Sequence, residues 1–74
     1  MIIINDKYHL MFDKAYQDWD LWCTKCKSKG GKYSGLVASM GNKFNDPLDR
    51  KCDTCKVSAD AETIKKVKFI MQNV

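Results

Sequence analysis

The sequence predicts a small α+β domain spanning residues 1–74, and three observations carry that prediction. Four cysteines stand in two Cys-x-x-Cys pairs, Cys23/Cys26 and Cys52/Cys55, with 25 residues between the pairs. A C-terminal stretch repeats apolar residues at helical spacing. Several short runs of strand character are punctuated by glycine and asparagine.

Taken in order, Ile2–Ile4 reads as a short strand or an apolar anchor. From Asp6 to Gln17 the pattern favours a helix: Tyr8, Phe12, Ala15, Trp19 and Trp22 recur at spacings of three and four, and Asn5 or Asp6 supplies a cap. Trp19, Leu21 and Cys23 alternate, so the chain is expected to become extended on its way into the first cysteine pair. Gly30-Gly31 marks a turn, and Lys32–Met40 has strand character with Tyr33 and the Leu36-Val37 pair. Gly41-Asn42 predicts a hairpin turn into a second short strand at Lys43–Asn45, and Asn45-Asp46-Pro47 another turn. The last element is an amphipathic helix capped by Ser58 or Asp60. Glu62 complements its dipole, Ile64, Val67, Ile70, Met71 and Val74 line one face, and Lys65, Lys66 and Lys68 lie largely outside that face.

A chain of 74 residues buries a low fraction of its surface, so a small fold of this kind usually carries a staple. The cysteines are the candidates. The opening Met1-Ile2-Ile3-Ile4-Asn5-Asp6 has neither the basic region nor the apolar length of a secretory signal, and no run approaches the roughly 20 apolar residues of a membrane span. The expectation is a soluble cytoplasmic protein without a membrane role, in which thiols stay reduced. Two Cys-x-x-Cys turns then supply the four sulfur ligands of one tetrahedral Zn2+ site at Cys23, Cys26, Cys52 and Cys55. Four protein ligands leave no position for water, which makes the site structural. Two other uses of the same residues stay open: a rubredoxin-like iron site of an electron carrier, and disulfides or a dithiol redox pair.

The run Trp19-Asp20-Leu21-Trp22-Cys23-Thr24-Lys25-Cys26-Lys27-Ser28, followed by Cys52-Asp53-Thr54-Cys55, resembles the zinc ribbon family over about residues 19–57. Zinc ribbon knuckles typically read Cys-Pro-x-Cys-Gly. Here Thr24 and Asp53 stand in place of the proline, and Lys27 and Lys56 in place of the glycine. A helix starting soon after Cys55 also looks like a treble clef, where a hairpin and a helix share the metal. Both resemblances imply a structural zinc, and neither fixes a function.

Charge narrows the function classes only slightly. The formal net charge is +4, but residues 1–22 carry two lysines against four aspartates, and the excess of lysine falls after them. Four thiolates and one divalent ion would bring the loaded protein near +2. Two binding functions compete. Lys25, Lys27, Lys29 and Lys32 beside Tyr33, with Lys65 and Lys66 in a second cluster, fit contact with nucleic acid or with the transcription and replication machinery. The bland alternative is a solvated surface that offsets thiolate charge. Trp19 and Trp22, with Tyr8, Tyr16 and Phe12, fit instead an adaptor or inhibitor, such as the short host-modifying proteins of bacterial viruses. Their bland alternative is packing beneath the metal site. The single His9 has no companion nucleophile, and Asp13, Asp18 and Asp20 read as a solvated helix face, so no catalytic function is expected.

Overall fold

Leu10 and Leu21 stand opposite each other across two antiparallel strands and are both fully buried, and the domain is organised around that pair. The computed structural model describes residues 1–28, 30, 34–46 and 50–73. Its elements are β1 (Ile2–Ile3), β2 (Tyr8–Asp13), β3 (Asp18–Cys23), α1 (Thr24–Lys27), β4 (Leu36–Ser39) and α2 (Ala61–Gln72). The four strands form one antiparallel sheet in chain order. The α+β class is therefore as expected, with a C-terminal helix and four clustered cysteines.

The predicted helix over Asp6–Gln17 is replaced by a hairpin. Tyr8, Leu10 and Phe12 alternate onto one face, and they pair with Cys23, Leu21 and Trp19. The helical spacing of the aromatics was a coincidence of two strands and a turn: Phe12 and Trp19 meet across the hairpin with ring centroids 5.2 Å apart. Asp13 makes the reversal, its Oδ1 accepting from the Ala15 N–H at 2.9 Å, and Gln17 takes a positive φ of 51°. Pairing wins because it buries both leucines in register, whereas an isolated amphipathic helix of this length is marginal by itself. The expected extended run from Trp19 into Cys23 is present as part of β3.

The second strand expected at Lys43–Asn45 does not form. Met40 N–H donates to the Trp19 carbonyl and Trp19 N–H to the Gly41 carbonyl, so residues 40 and 41 prolong the pairing of β4 with β3, and residues 43–45 follow as irregular chain. Phe44, half-buried, folds against the core. Of the turns, Gly31 and Pro47 lie outside the described residues, as do Lys32 and Tyr33 at the start of the expected strand.

The C-terminal helix matches its expectation, with Asp60 as N-cap and Glu62 in the first turn. Asp60 accepts a short hydrogen bond from the Thr63 hydroxyl. Ile64, Val67 and Met71 are buried and Ile70 half-buried, while Val74 lies outside the described residues. One cluster joins Leu10, Leu21 and Ala38 of the sheet to these helix residues and to Cys26 and Cys52. The cysteines thus sit at the end of the core. No helix among the described residues is long and apolar enough to cross a membrane.

Candidate metal centre

The first cysteine pair straddles the junction of β3 with α1. Cys23 ends the strand and caps the short helix with extended backbone (φ −77°, ψ 111°), which puts Cys26 one turn on. The turn is held from the sheet side. Thr24 N–H donates to the Lys7 carbonyl at 2.9 Å, and the Thr24 hydroxyl meets His9 Nδ1 at 2.8 Å. His9 is buried, and burial, followed by the Lys27 charge, lowers its pKa. Through its contact with Thr24 it supports the knuckle.

The second pair sits in a tight hairpin closed by a bridge between Lys51 and Ser58. Cys52 N–H donates to the Val57 carbonyl and Lys56 N–H to the Cys52 carbonyl. Thr54 and Cys55 both point their backbone N–H groups at Cys52 Sγ, at 3.4 and 3.5 Å. Such donors offset negative charge on sulfur. Lys56 holds a φ of 63°, in the left-handed region that favours glycine, at a position where the zinc ribbon pattern has one.

The two knuckles are tied together by Gly35. Its N–H donates to Asp53 Oδ1 at 2.8 Å and Thr54 Oγ1 at 3.1 Å in the second knuckle. Its carbonyl accepts from Cys23 N–H at 2.7 Å in the first. Ser34 Oγ donates to the Cys26 carbonyl, and Asp53 N–H to the Leu36 carbonyl. Nothing in the local sequence singles out Gly35. Its role depends on a close approach of three backbone segments that no local pattern reveals.

These ties bring all four sulfurs within 4.8 Å of one another, and none of the four is in a disulfide. A tetrahedron with metal–sulfur bonds of about 2.3 Å has edges of about 3.8 Å, so the cluster fits one ion with little adjustment. Cys52 and Cys26 are buried, Cys23 half-buried and Cys55 exposed, so the site opens to solvent at one corner. Burial, followed by its sulfur neighbours, pushes the Cys26 thiol up to about 12. The Val57 backbone N–H, then Cys52, pulls the Cys55 thiol below its usual value. Four thiolates packed this closely need a cation to offset their repulsion, and four soft donors suit a metal such as zinc.

The other candidate residues are dispersed. Lys27 places its ammonium 4.0 Å from the centroid of the Trp22 ring, an intramolecular cation–π contact. Trp22 is 7% exposed and Trp19 half-buried against the core, so both rings are largely committed to packing. Lys25 is exposed beside Cys26, and Lys65 and Lys66 are exposed on α2. Lys29, Lys32 and Tyr33 lie outside the described residues.

One grouping was missed. Asp13, Asp18 and Asp20 are not a solvated helix face but half-buried neighbours on the hairpin, their carboxylates within 4.8 Å of one another. Register explains this: Asp13 pairs with Asp18, and Asp20 lies two residues along the same face. Ser39 Oγ donates to Asp18 Oδ2, while Asp18 Oδ1 and Asp20 Oδ1 are buried without a hydrogen-bond partner among the described residues. Burial, together with the Asp18 and Asp13 charges, raises the Asp20 pKa against the opposing Ser39 hydrogen bond.

Compared with protein-family models, curated proteins and solved structures, the chain matches none. The zinc ribbon likeness therefore rests on the knuckles alone.

Proposed function

We propose that the chain is a structural-zinc module that works by binding a macromolecular partner and not by catalysis. The observation that carries this reading is the closed set of four sulfurs within 4.8 Å, which offers a metal four protein ligands and no reactive position. The four-sulfur donor set suits zinc or iron alike, and the knuckle likeness to zinc ribbons and treble clefs favours zinc. The ion would cross-link the β3–α1 junction to the 50–59 hairpin and so hold one end of the core shut.

The first partner proposed is nucleic acid, met by the knuckle surface around Lys25, Lys27, Lys29, Lys32 and Tyr33. The basic sequence pI of about 8.9 and the exposure of Lys25 support it, whereas the engagement of Lys27 with Trp22 takes one charge out of the strip. Gel shifts on DNA and RNA across a salt series test it. Lys29→Gln with Lys32→Gln should leave the fold intact and lower the slope of log K against log salt by about one to two units. An absence of affinity at low salt removes this reading. A protein partner is the second reading. It is favoured by the exposed ring of Phe69 on the outer side of α2, away from the knuckles in sequence.

A further inference from the structure

Beside α2 lies a groove of about 550 Å³ lined by Ile4, Glu62, Lys65, Lys66, Phe69 and Ile70. It runs between the residue that follows β1 and the outer side of the helix. Its floor is apolar, because Ile4 is buried and Ile70 half-buried. Phe69 is 69% exposed. The fold does not use this ring: Val67 and Met71, two residues either way, point into the core, so Phe69 falls on the opposite side of the helix. Lys65 and Lys66 precede Phe69 by four and three residues, which places both ammonium groups on its side. None of Lys65, Lys66 and Lys68 makes an ion pair with a described residue.

We propose that this groove binds an acidic segment of a protein partner, one or two large apolar side chains filling the groove while flanking carboxylates meet Lys65 and Lys66. The volume falls within the roughly 300–1,000 Å³ of ordinary ligand pockets. An apolar floor whose rim sets Lys65 and Lys66 against the single Glu62 carries a net positive charge. It is complementary to an acidic amphipathic segment laid along it, its carboxylates at the lysine end. Nucleic acid fits less well. The walls are aliphatic apart from one ring, so they offer little for bases to stack on. A second copy of the chain fits poorly too, because a two-fold pairing would set Lys65 and Lys66 against their own counterparts. The proposal goes beyond the knuckle lysines, and loss of nucleic-acid binding by Lys29→Gln with Lys32→Gln leaves it standing.

The test is selection of displayed random 12-residue peptides on the zinc-loaded protein, with affinities measured by fluorescence anisotropy. Enriched peptides should pair Asp or Glu with Leu, Ile, Phe or Met. Their affinity should fall at least tenfold in Phe69→Ser and in Lys65→Glu with Lys66→Glu. Both changes lie on exposed side chains, so unchanged circular dichroism separates lost binding from lost folding. Replacing the peptide's acidic residues with lysine should restore binding to the double glutamate variant. Basic or neutral peptides, peptides indifferent to Phe69, or no enrichment would overturn the proposal. So would a single-stranded oligonucleotide that occupies the groove in a Phe69-dependent way, or a dimer in sedimentation that dissolves in Phe69→Ser.

Discussion

Replacing Gly35 with alanine attacks the tie between the two knuckles without touching a sulfur. A Cβ built there meets Lys27 N at 2.7 Å, the Cys23 carbonyl oxygen at 2.9 Å and the Cys26 carbonyl carbon at 3.2 Å. All three are backbone atoms of the first knuckle, so no flexible side chain can swing aside. Two costs combine. At φ +88° an L-residue costs about 1–2 kcal/mol. Overpacking against a fixed neighbour adds about 1–3 kcal/mol. The expected loss is about 2–5 kcal/mol, a large share of the 5–15 kcal/mol typical of whole domains. Gly41→Ala is the control: its φ is +76°, but its added Cβ meets nothing within 4 Å, so it isolates the backbone cost. Guanidinium unfolding of the zinc-loaded proteins reads both changes. Competition with a chromophoric chelator should further show Gly35→Ala weakening zinc affinity by about 10–100-fold, as loss of a supporting contact does. If Gly35→Ala costs no more than Gly41→Ala and holds zinc as tightly as the parent, the tie is not what positions the ligands.

Other variants probe the remaining parts of the site. Lys56→Gly relieves a left-handed residue at the cost of unfolded-state entropy, so it should be neutral or stabilising by up to about 1 kcal/mol in chemical unfolding, while Lys56→Val should destabilise by about 1–2 kcal/mol. Asp20→Asn should stabilise the protein at neutral pH by about 0.2–1 kcal/mol, the range for cross-strand pairs. The raised pKa of Asp20 means that the folded state holds its proton longer than the unfolded chain, so ionisation subtracts stability as pH rises through the folded value. The advantage of asparagine should therefore be full at neutral pH and shrink as pH falls toward the ordinary carboxylate range, measured as the difference between the two proteins at each pH.

What could be read from the sequence follows how local each signal is. The helix at Ala61–Gln72 was legible because Ile64, Val67 and Met71 repeat at 3.6-residue spacing behind a capping aspartate. The ligand set was legible because Cys-x-x-Cys is a local turn whose sulfur spacing needs no tertiary information. The N-terminal hairpin was not. Gln17 adopts positive φ without being glycine, which hides the turn, and the aromatics fall at helical spacing while serving two strands. Once that segment is misread, the pairing of Asp13 with Asp18 cannot be seen, and neither can the carboxylate cluster. Gly35 was invisible for a different reason: its value lies in contacts with residues 18 and 19 positions away.

Native mass spectrometry of protein purified under mild conditions tests the central claim most directly, because mass gives metal content and charge state gives compactness in one spectrum. The expected result is one zinc per chain in a narrow, low-charge envelope. Adding a strong chelator should convert it to metal-free protein in a broad, high-charge envelope, since structural zinc in small modules contributes about 10 kcal/mol to folding. Cys26→Ser should start in that second form. Iron in place of zinc, a metal-free mass short by the four hydrogens of two disulfides, or a compact envelope that survives loss of the metal would contradict the account.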